Sequence, residues 1–201
     1  MVGNLKRLLR YPLSGQKVVD EKMQRASNHY ERAFGSLLKE NSIPYISVDQ
    51  HERKVFSEHK IKSFDFMFYP ARGRPVLADV KGRKFDGPSI VRGFLQCWVT
   101  RQDLEGLSIW KQVFAAGRPV EAVFVFAYDL QQIEVETDGQ AVYDFDGRRY
   151  IFLAVRLEDY LGHSRPRSRQ WDTVTLSAEH FRRLAVPLDS FLIQQRRINQ
   201  E

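Results

Sequence analysis

The sequence feature that most constrains the fold is the segment 122–128, which is apolar at every position. A strand with one face in water alternates apolar and polar residues, whereas a strand that is apolar throughout is covered on both faces. Helices packed on the two faces of a sheet provide such cover. The segment therefore predicts an α/β fold in which helices flank a central sheet.

Length and composition fit one domain with a substantial core. The chain has 201 residues, of which 43% are hydrophobic and 12% aromatic. We interpret it as a single domain made of three parts: a basic N-terminal arm at 1–17, a core at 18–130, and a C-terminal part at 131–201 with a hairpin, a basic loop and a short helix. The single cysteine, Cys97, excludes an intrachain disulfide and a thiolate metal cluster built from this chain alone.

The same features bear on location. No stretch approaches the roughly 20 apolar residues that cross a bilayer, and the N-terminus lacks the apolar region of a secretory signal. A lone cysteine is also typical of a reducing compartment. We expect a soluble, cytoplasmic protein with no membrane partner.

Hydrophobic periodicity predicts a helix followed by three short strands. Apolar residues recur at helical spacing over 19–40, and Asn41 and Pro44 are expected to end that helix. The alternation typical of strands follows at 45–48, 63–69 and 76–81. Gly82 is expected to end the third of these strands. The predicted order so far is helix, strand, strand, strand.

The rest of the chain predicts further helices and strands. Thr100 and Asp103 have the spacing of a capping box, which predicts the start of a helix whose buried stripe includes Trp110. Trp98 is also expected in the core. The remaining predicted elements are a helix at 89–99, a strand at 122–128, a hairpin at 143–157, a basic loop at 161–170, a strand at 173–176 and a short helix from Ser177 to Leu184.

Two aspartates lie on neighbouring predicted strands, and a lysine follows the second of them. Asp65 lies in the strand at 63–69, and Asp79 and Lys81 share one face of the strand at 76–81. Carboxylate oxygens are the ligands that Mg²⁺ prefers, and an ammonium group on the same face can orient a water molecule or offset charge on a phosphate. The opposite face of the first strand is expected to carry three aromatic side chains, Phe64, Phe66 and Phe68.

Other acid-x-lysine sequences occur at 20–22, 52–54 and 58–60, so the tripeptide alone is weak evidence. Only the one at 79–81 ends an apolar strand and follows a second strand that carries an aspartate. An ion pair at a strand end is the structural alternative for Asp79 and Lys81. The five histidines show no paired helical spacing, so catalysis by histidine is not expected.

In these residues the chain resembles the PD-(D/E)xK nuclease superfamily, which includes restriction-type endonucleases and Holliday-junction resolvases. The resemblance covers about residues 25–130 and implies a restriction endonuclease-like αβββαβ core with a central mixed sheet. It also implies that the metal is bound by Asp65, Asp79 and the Val80 carbonyl group, that Lys81 assists the attacking water, and that Glu31 completes the site. Ser63-Phe64 replaces the proline that nominally precedes the first aspartate. Glu31 and Glu40 border the apolar stripe of the helix on opposite sides, and a solvated flanking position is the structural alternative for either; the resemblance favours Glu31.

The resemblance implies a metal-dependent nuclease, most simply an endonuclease, that hydrolyses phosphodiester bonds with Mg²⁺ or with Mn²⁺ in its place. It favours DNA as the nucleic-acid partner over RNA. The net charge of +6 is compatible with a polyanionic substrate. The expected phosphate contacts are Arg83, Lys84, Arg165, Arg167 and Arg169. Two other functions stay open: a catalytically inactive nucleic-acid-binding module, and a structural or partner-binding domain. A homodimer is also left open.

Overall fold

The computed structural model describes residues 29–48, 62–71, 73–85, 87, 95–131, 134–137 and 139–197, with the side chains of the last helix described up to Leu192. The described helices are α1 (His29–Glu40), α2 (Arg101–Ala115), α3 (Leu157–His163), α4 (Ala178–Leu184) and α5 (Leu188–Arg197). The first strands are β1 (Tyr45–Ser47), β2 (Phe66–Phe68), β3 (Val76–Lys84), β4 (Val99–Thr100) and β5 (Glu121–Asp129). The later strands are β6 (Tyr143–Phe145), β7 (Arg148–Arg156), β8 (Arg165–Ser168), β9 (Thr173–Thr175) and β10 (Val186–Pro187). The basic arm at 1–17 and the predicted start of the first helix lie outside the described residues.

The central sheet is mixed, with the strand order β1-β2-β3-β5-β7-β10 and with β6 paired to β7. Strands β1, β2 and β3 form an antiparallel meander, whereas β3 and β5 are parallel along their full lengths. The connection between β3 and β5 contains α2. A second, small sheet has the order β4-β9-β8. The predicted α/β class with a mixed central sheet is confirmed.

The two faces of the central sheet are covered by different helices. On one face α1 and α5 pack against β2, β3 and β7, with Phe34 of α1 in contact with Phe66 of β2. On the other face α2, α3 and α4 form the larger cluster around Trp110. Strand β5 contributes alternately to the two clusters, and every side chain from Val123 to Ala127 is fully buried. The prediction from segment 122–128 is therefore confirmed.

Several local predictions were correct because the turn and cap chemistry was explicit. The Thr100–Asp103 capping box begins α2. Ser177 caps α4 by accepting a hydrogen bond from the backbone of His180. The hairpin of β6 and β7 turns at 146–147, where both residues have positive φ.

Strand β3 corrects the prediction that Gly82 ends it. The strand continues to Lys84, because its parallel pairing with β5 extends to the Lys84–Asp129 pair. The glycine has a packing role instead: a Cβ atom there would lie 2.1 Å from Cδ2 of Tyr30 on α1. Gly82 therefore allows α1 to approach β3 closely.

Three other predictions were wrong in part. Phe64 does not share a face with Phe66: it packs against Trp110 in the larger cluster, because the regular strand begins only at Phe66. Residues 161–170 are not a loop but contain the end of α3 and all of β8. The helix predicted at 89–99 falls mostly outside the described residues, and its described end, 95–99, is not helical, with Val99 in β4.

Candidate active site

Asp65 is fixed against the neighbouring strand by both its backbone and its side chain. It precedes β2 by one residue, and its amide donates a 3.0 Å hydrogen bond to the Ala78 carbonyl group. Its carboxylate atom Oδ2 accepts a 2.6 Å hydrogen bond from the amide of Val80. The residue is buried. Asp65 is therefore held beside the part of β3 that carries Asp79 and Lys81.

The ammonium group of Lys81 contacts the carboxyl group of Asp79 in a largely buried position on one face of β3. The Nζ atom of Lys81 lies 2.8 Å from Oδ1 of Asp79. Only 6% of the Asp79 side chain and 14% of the Lys81 side chain are exposed, so water screens the pair weakly. This confirms the shared face predicted from strand periodicity. The pair differs from the strand-end alternative in being buried on a central strand.

Asp103 is the third carboxylate of the site, and sequence analysis identified it only as a capping residue. Its Oδ1 atom lies 3.0 Å from Nζ of Lys81, and Lys62 forms a second ion pair with the same oxygen. Its Oδ2 atom accepts a 2.7 Å hydrogen bond from the amide of Thr100, whose hydroxyl accepts one from the Asp103 amide. The only signal for Asp103 in the sequence was its position as a capping acid at the start of α2, the helix that comes after the strand of Lys81.

The carboxylates and the lysine shift one another's pKa values. Burial raises the pKa of Asp79 from 3.8 to about 8, with Lys81 opposing the rise and with Asp65 and Asp103 adding to it. Burial alone would lower the pKa of Lys81, but Asp79, Asp103 and Asp65 outweigh it and raise that pKa. Burial also opposes ionisation of Asp103, but Lys81 and Lys62 hold its pKa well below its usual range. Lys81 and Asp103 are thus charged at neutral pH, whereas Asp79 largely keeps its proton there when no cation lies beside it.

Glu31 lies in the first turn of α1 and is buried. That helix packs on the face of the sheet opposite to α2, whereas Asp103 reaches the site from α2. The charges that act on the pKa of Asp79 include Asp65, Asp103 and Lys81. The structure thus assembles Asp65, Asp79 and Lys81, and the assignment of Glu31 and of the Val80 carbonyl group as metal ligands stays a prediction.

The predicted phosphate contacts fall into two groups. Arg83 is half-buried, and its guanidinium group donates to the carbonyl groups of Gly82 and Trp98 and stacks on the Trp98 ring. Trp98 is half-buried beside two arginines and is not in the core, contrary to the sequence prediction. The other predicted contacts have exposed side chains: Lys84, Arg165, Arg167 and Arg169.

The carboxyl groups of the candidate site decide whether it can bind a divalent cation. Within the described part of the chain, no group of three or more histidine, cysteine, aspartate or glutamate side chains is arranged to hold a metal ion. Mg²⁺, however, is commonly bound by one or two carboxylates together with water and substrate phosphate. Asp65 and Asp79 supply two such carboxylates, and Asp65 and Asp103 raise the pKa of Asp79 by negative charge that a cation would offset. Two carboxyl groups are thus available to such a cation, and a Mg²⁺ site stays a prediction.

Comparison with known proteins gives no family assignment. No family model matches the chain, and no curated protein matches its sequence. In the described residues, no helix has both the length and the apolar character needed to cross a membrane.

Proposed function

We propose that the protein is a metal-dependent nuclease that hydrolyses phosphodiester bonds of nucleic acid, with DNA as the favoured substrate. The observation that carries the proposal is the group of Asp65, just before β2, with Asp79 and Lys81 on β3, in which both carboxyl groups are buried and the lysine is largely buried. Isolated buried charges are costly, and perturbed pKa values in carboxylate–lysine groups occur more often at functional sites.

The order of the elements supports the same proposal. Apart from the two-residue strand β4, which belongs to the small sheet, the order is α1, β1, β2, β3, α2, β5: a helix, three antiparallel strands, a helix and one strand parallel to β3. This order supports the αβββαβ core that the sequence resemblance implies. We therefore propose a restriction endonuclease-like core, in which the residues of the candidate site lie on β3 and just before β2.

The residues of the candidate site would have different roles in hydrolysis. Asp65 and Asp79 would hold Mg²⁺, which when bound lowers the pKa of water and offsets charge on the phosphate. The raised pKa of Lys81 keeps its ammonium group charged, so Lys81 would donate hydrogen bonds to water or phosphate and would not act as a base. Asp103 would hold that ammonium group in place from α2.

The experiment is a cleavage assay on linear duplex DNA, single-stranded DNA, branched DNA and RNA, with Mg²⁺ or Mn²⁺. We expect cleavage that EDTA abolishes and that Lys81→Ala lowers by at least about 100-fold, the order of effect for one catalytic group. Lys111→Ala is the matched control, because Lys111 lies elsewhere on α2 and pairs with Glu158 of α3. Metal-independent cleavage, or equal rates for Lys81→Ala and Lys111→Ala, would contradict the proposal.

One observation favours a second candidate, a nucleic-acid-binding module without catalysis. Lys81 is paired with two carboxylates, and the described residues contain no three-ligand metal group. Such an arrangement is compatible with a site that binds nucleic acid and does not cut it. Salt-dependent DNA binding by wild type and Lys81→Ala, with no cleavage of any substrate in either metal, would support the module.

A further inference from the structure

The hairpin of β8 and β9 presents an aromatic side chain in a basic surrounding. Trp171, in the turn between the strands, is 70% exposed, the highest value among the exposed large hydrophobic side chains of the described residues. The arginines of the hairpin are exposed as well: Arg165, Arg167 and Arg169. Single exposed apolar residues are common, so the exposure alone decides nothing. An exposed aromatic ring on the same hairpin as three exposed arginines is the combination that suggests a ligand-binding surface.

The turn that carries Trp171 is attached to the start of α2. The amide of Arg101 donates a 2.9 Å hydrogen bond to the carbonyl group of Asp172, and Nε of Arg101 lies 3.1 Å from Oδ1 of the same residue. The neighbouring strand β9 also pairs with β4, which leads directly into α2. Asp103, two residues after Arg101, reaches Lys81. The hairpin turn therefore has a defined place near the candidate site.

The Trp98 ring forms a second connection between the hairpin and the candidate site. The guanidinium carbon of Arg83 lies 4.1 Å from the centroid of the Trp98 ring, and that of Arg167 lies 5.2 Å from it. Arg83 is two residues beyond Lys81 on β3, so the two side chains share a face of the strand. Arg167 is placed by a β-bulge in β8. The arginines thus extend from the candidate site toward the hairpin.

The chemistry of this surface fits a single strand of nucleic acid. Guanidinium groups bind phosphates, and an exposed indole ring stacks on a base. In a duplex the faces of the bases are covered by their neighbours, whereas an unpaired base has a face available. Arg167 is exposed and shares the Trp98 ring with Arg83, so a phosphate bound at Arg167 would offset positive charge at this ring.

We propose that the β8–β9 hairpin binds a single-stranded segment of nucleic acid beside the candidate active site, with Trp171 stacked on an unpaired base and Arg167 in contact with a phosphate. This rests on the proposed function and narrows its substrate to nucleic acid with unpaired bases. The hairpin surface is then what distinguishes such substrates from continuous duplex.

The test measures binding in EDTA, where no metal-dependent cleavage occurs, with labelled single-stranded and duplex DNA of equal length. We expect Trp171→Ala to weaken single-strand binding about tenfold, the order of effect for one stacked base, and to change duplex binding much less. Trp171→Phe keeps an aromatic ring and should restore most of the affinity. Leu161→Ala removes another exposed apolar side chain, 51% exposed, and should change neither.

The arginines are tested through salt dependence. Arg167→Ala should reduce the slope of log K against log salt by about 0.7 for a single strand, the value for one phosphate contact. Arg118→Ala is the control, because Arg118 is exposed beyond the C-terminal end of α2, away from Asp103. It should leave the slope unchanged.

The outcomes separate this proposal from the proposed function. Equal single-strand binding by wild type and Trp171→Ala would overturn the hairpin proposal, even if wild type cleaves DNA, and would leave Trp171 as a contact for a protein partner. A selective loss of single-strand binding in Trp171→Ala, without cleavage by wild type, would support the hairpin proposal while the nuclease proposal fails.

Discussion

The ammonium group of Lys81 lies 3.0 Å from Oδ1 of Asp103 and so joins the central strand β3 to the first turn of α2. The same nitrogen pairs with Asp79 on its own strand. The ammonium group of Lys81 therefore contacts carboxyl groups from two different elements. The link fixes the start of the helix that connects the parallel strands β3 and β5.

Asp103→Asn should destabilise the protein more than loss of the cap alone. The asparagine keeps an oxygen for the Thr100 amide but removes the charge that Lys81 and Lys62 share. We expect the free energy of unfolding to fall by about 2–3 kcal/mol, toward the upper range for loss of a buried charged partner. Thr100→Ala, which removes only the cap hydroxyl, should cost about 1 kcal/mol. Urea unfolding measures both, and equal losses would show that the Lys81–Asp103 pair contributes nothing.

The metal-free protein should lose stability as pH rises through the neutral range. Burial raises the pKa of Asp79 from 3.8 to about 8. Between these values the folded protein binds a proton that the unfolded chain has released, so this stabilising contribution is complete below 3.8 and is lost as pH approaches 8. Asp79→Asn should flatten this part of the profile, measured by urea unfolding in EDTA. A profile that Asp79→Asn does not alter would refute the raised pKa of Asp79.

Much of the fold was predictable because local sequence and tertiary packing agree. The apolar segment 122–128 predicted a strand covered on both faces, and β5 is buried on both. The prediction at Gly82 was wrong because a glycine in a strand sequence can indicate either of two things. It can mark the end of the strand, or it can allow another element to approach closely, and the sequence does not distinguish them. The reason for this glycine is Tyr30, which lies 52 positions earlier in the chain.

Gly82→Ala tests that close approach. A Cβ atom at this position would lie 2.1 Å from the ring of Tyr30, so α1 would have to move away from β3. We expect a loss of about 1–3 kcal/mol in the free energy of unfolding, the usual cost of overpacking. Gly117→Ala is the control, because no atom lies within 4 Å of a Cβ atom there. In Tyr30→Ala the added substitution Gly82→Ala should cost much less, and a full cost in that background would contradict the proposed clash.

The candidate site was predictable only where strand periodicity applies. The face shared by Asp79 and Lys81 follows from their spacing, and the structure confirms it by the contact between the two side chains. The contribution of Asp103 was missed because its sequence context explains it fully as a capping acid, and only the tertiary position of α2 brings it to Lys81. Trp98 was misassigned because an aromatic residue next to apolar neighbours has the pattern of a core residue.

Tyr160→Phe should weaken the attachment of the small sheet to the core. The hydroxyl group of Tyr160 lies 2.6 Å from the carbonyl oxygen of Cys97, just before β4, and 3.2 Å from that of Val174 in β9. The ring is fully buried, so phenylalanine fits but leaves buried carbonyl groups without this donor. We expect a loss of about 1–3 kcal/mol in the free energy of unfolding.

The matched control for Tyr160→Phe is Tyr143→Phe. In the wild-type protein the Tyr143 hydroxyl group donates a 2.6 Å hydrogen bond to Glu40 at an exposed position. Water can replace that donor, so the loss should stay below about 1 kcal/mol. Urea unfolding of the two variants gives the comparison, and amide hydrogen exchange in β4 and β9 shows where stability is lost. Faster exchange in these strands of Tyr160→Phe, with β5 protected as in wild type, is the expected pattern. Equal stability of the two variants would mean that the buried hydroxyl does not hold the small sheet to the core.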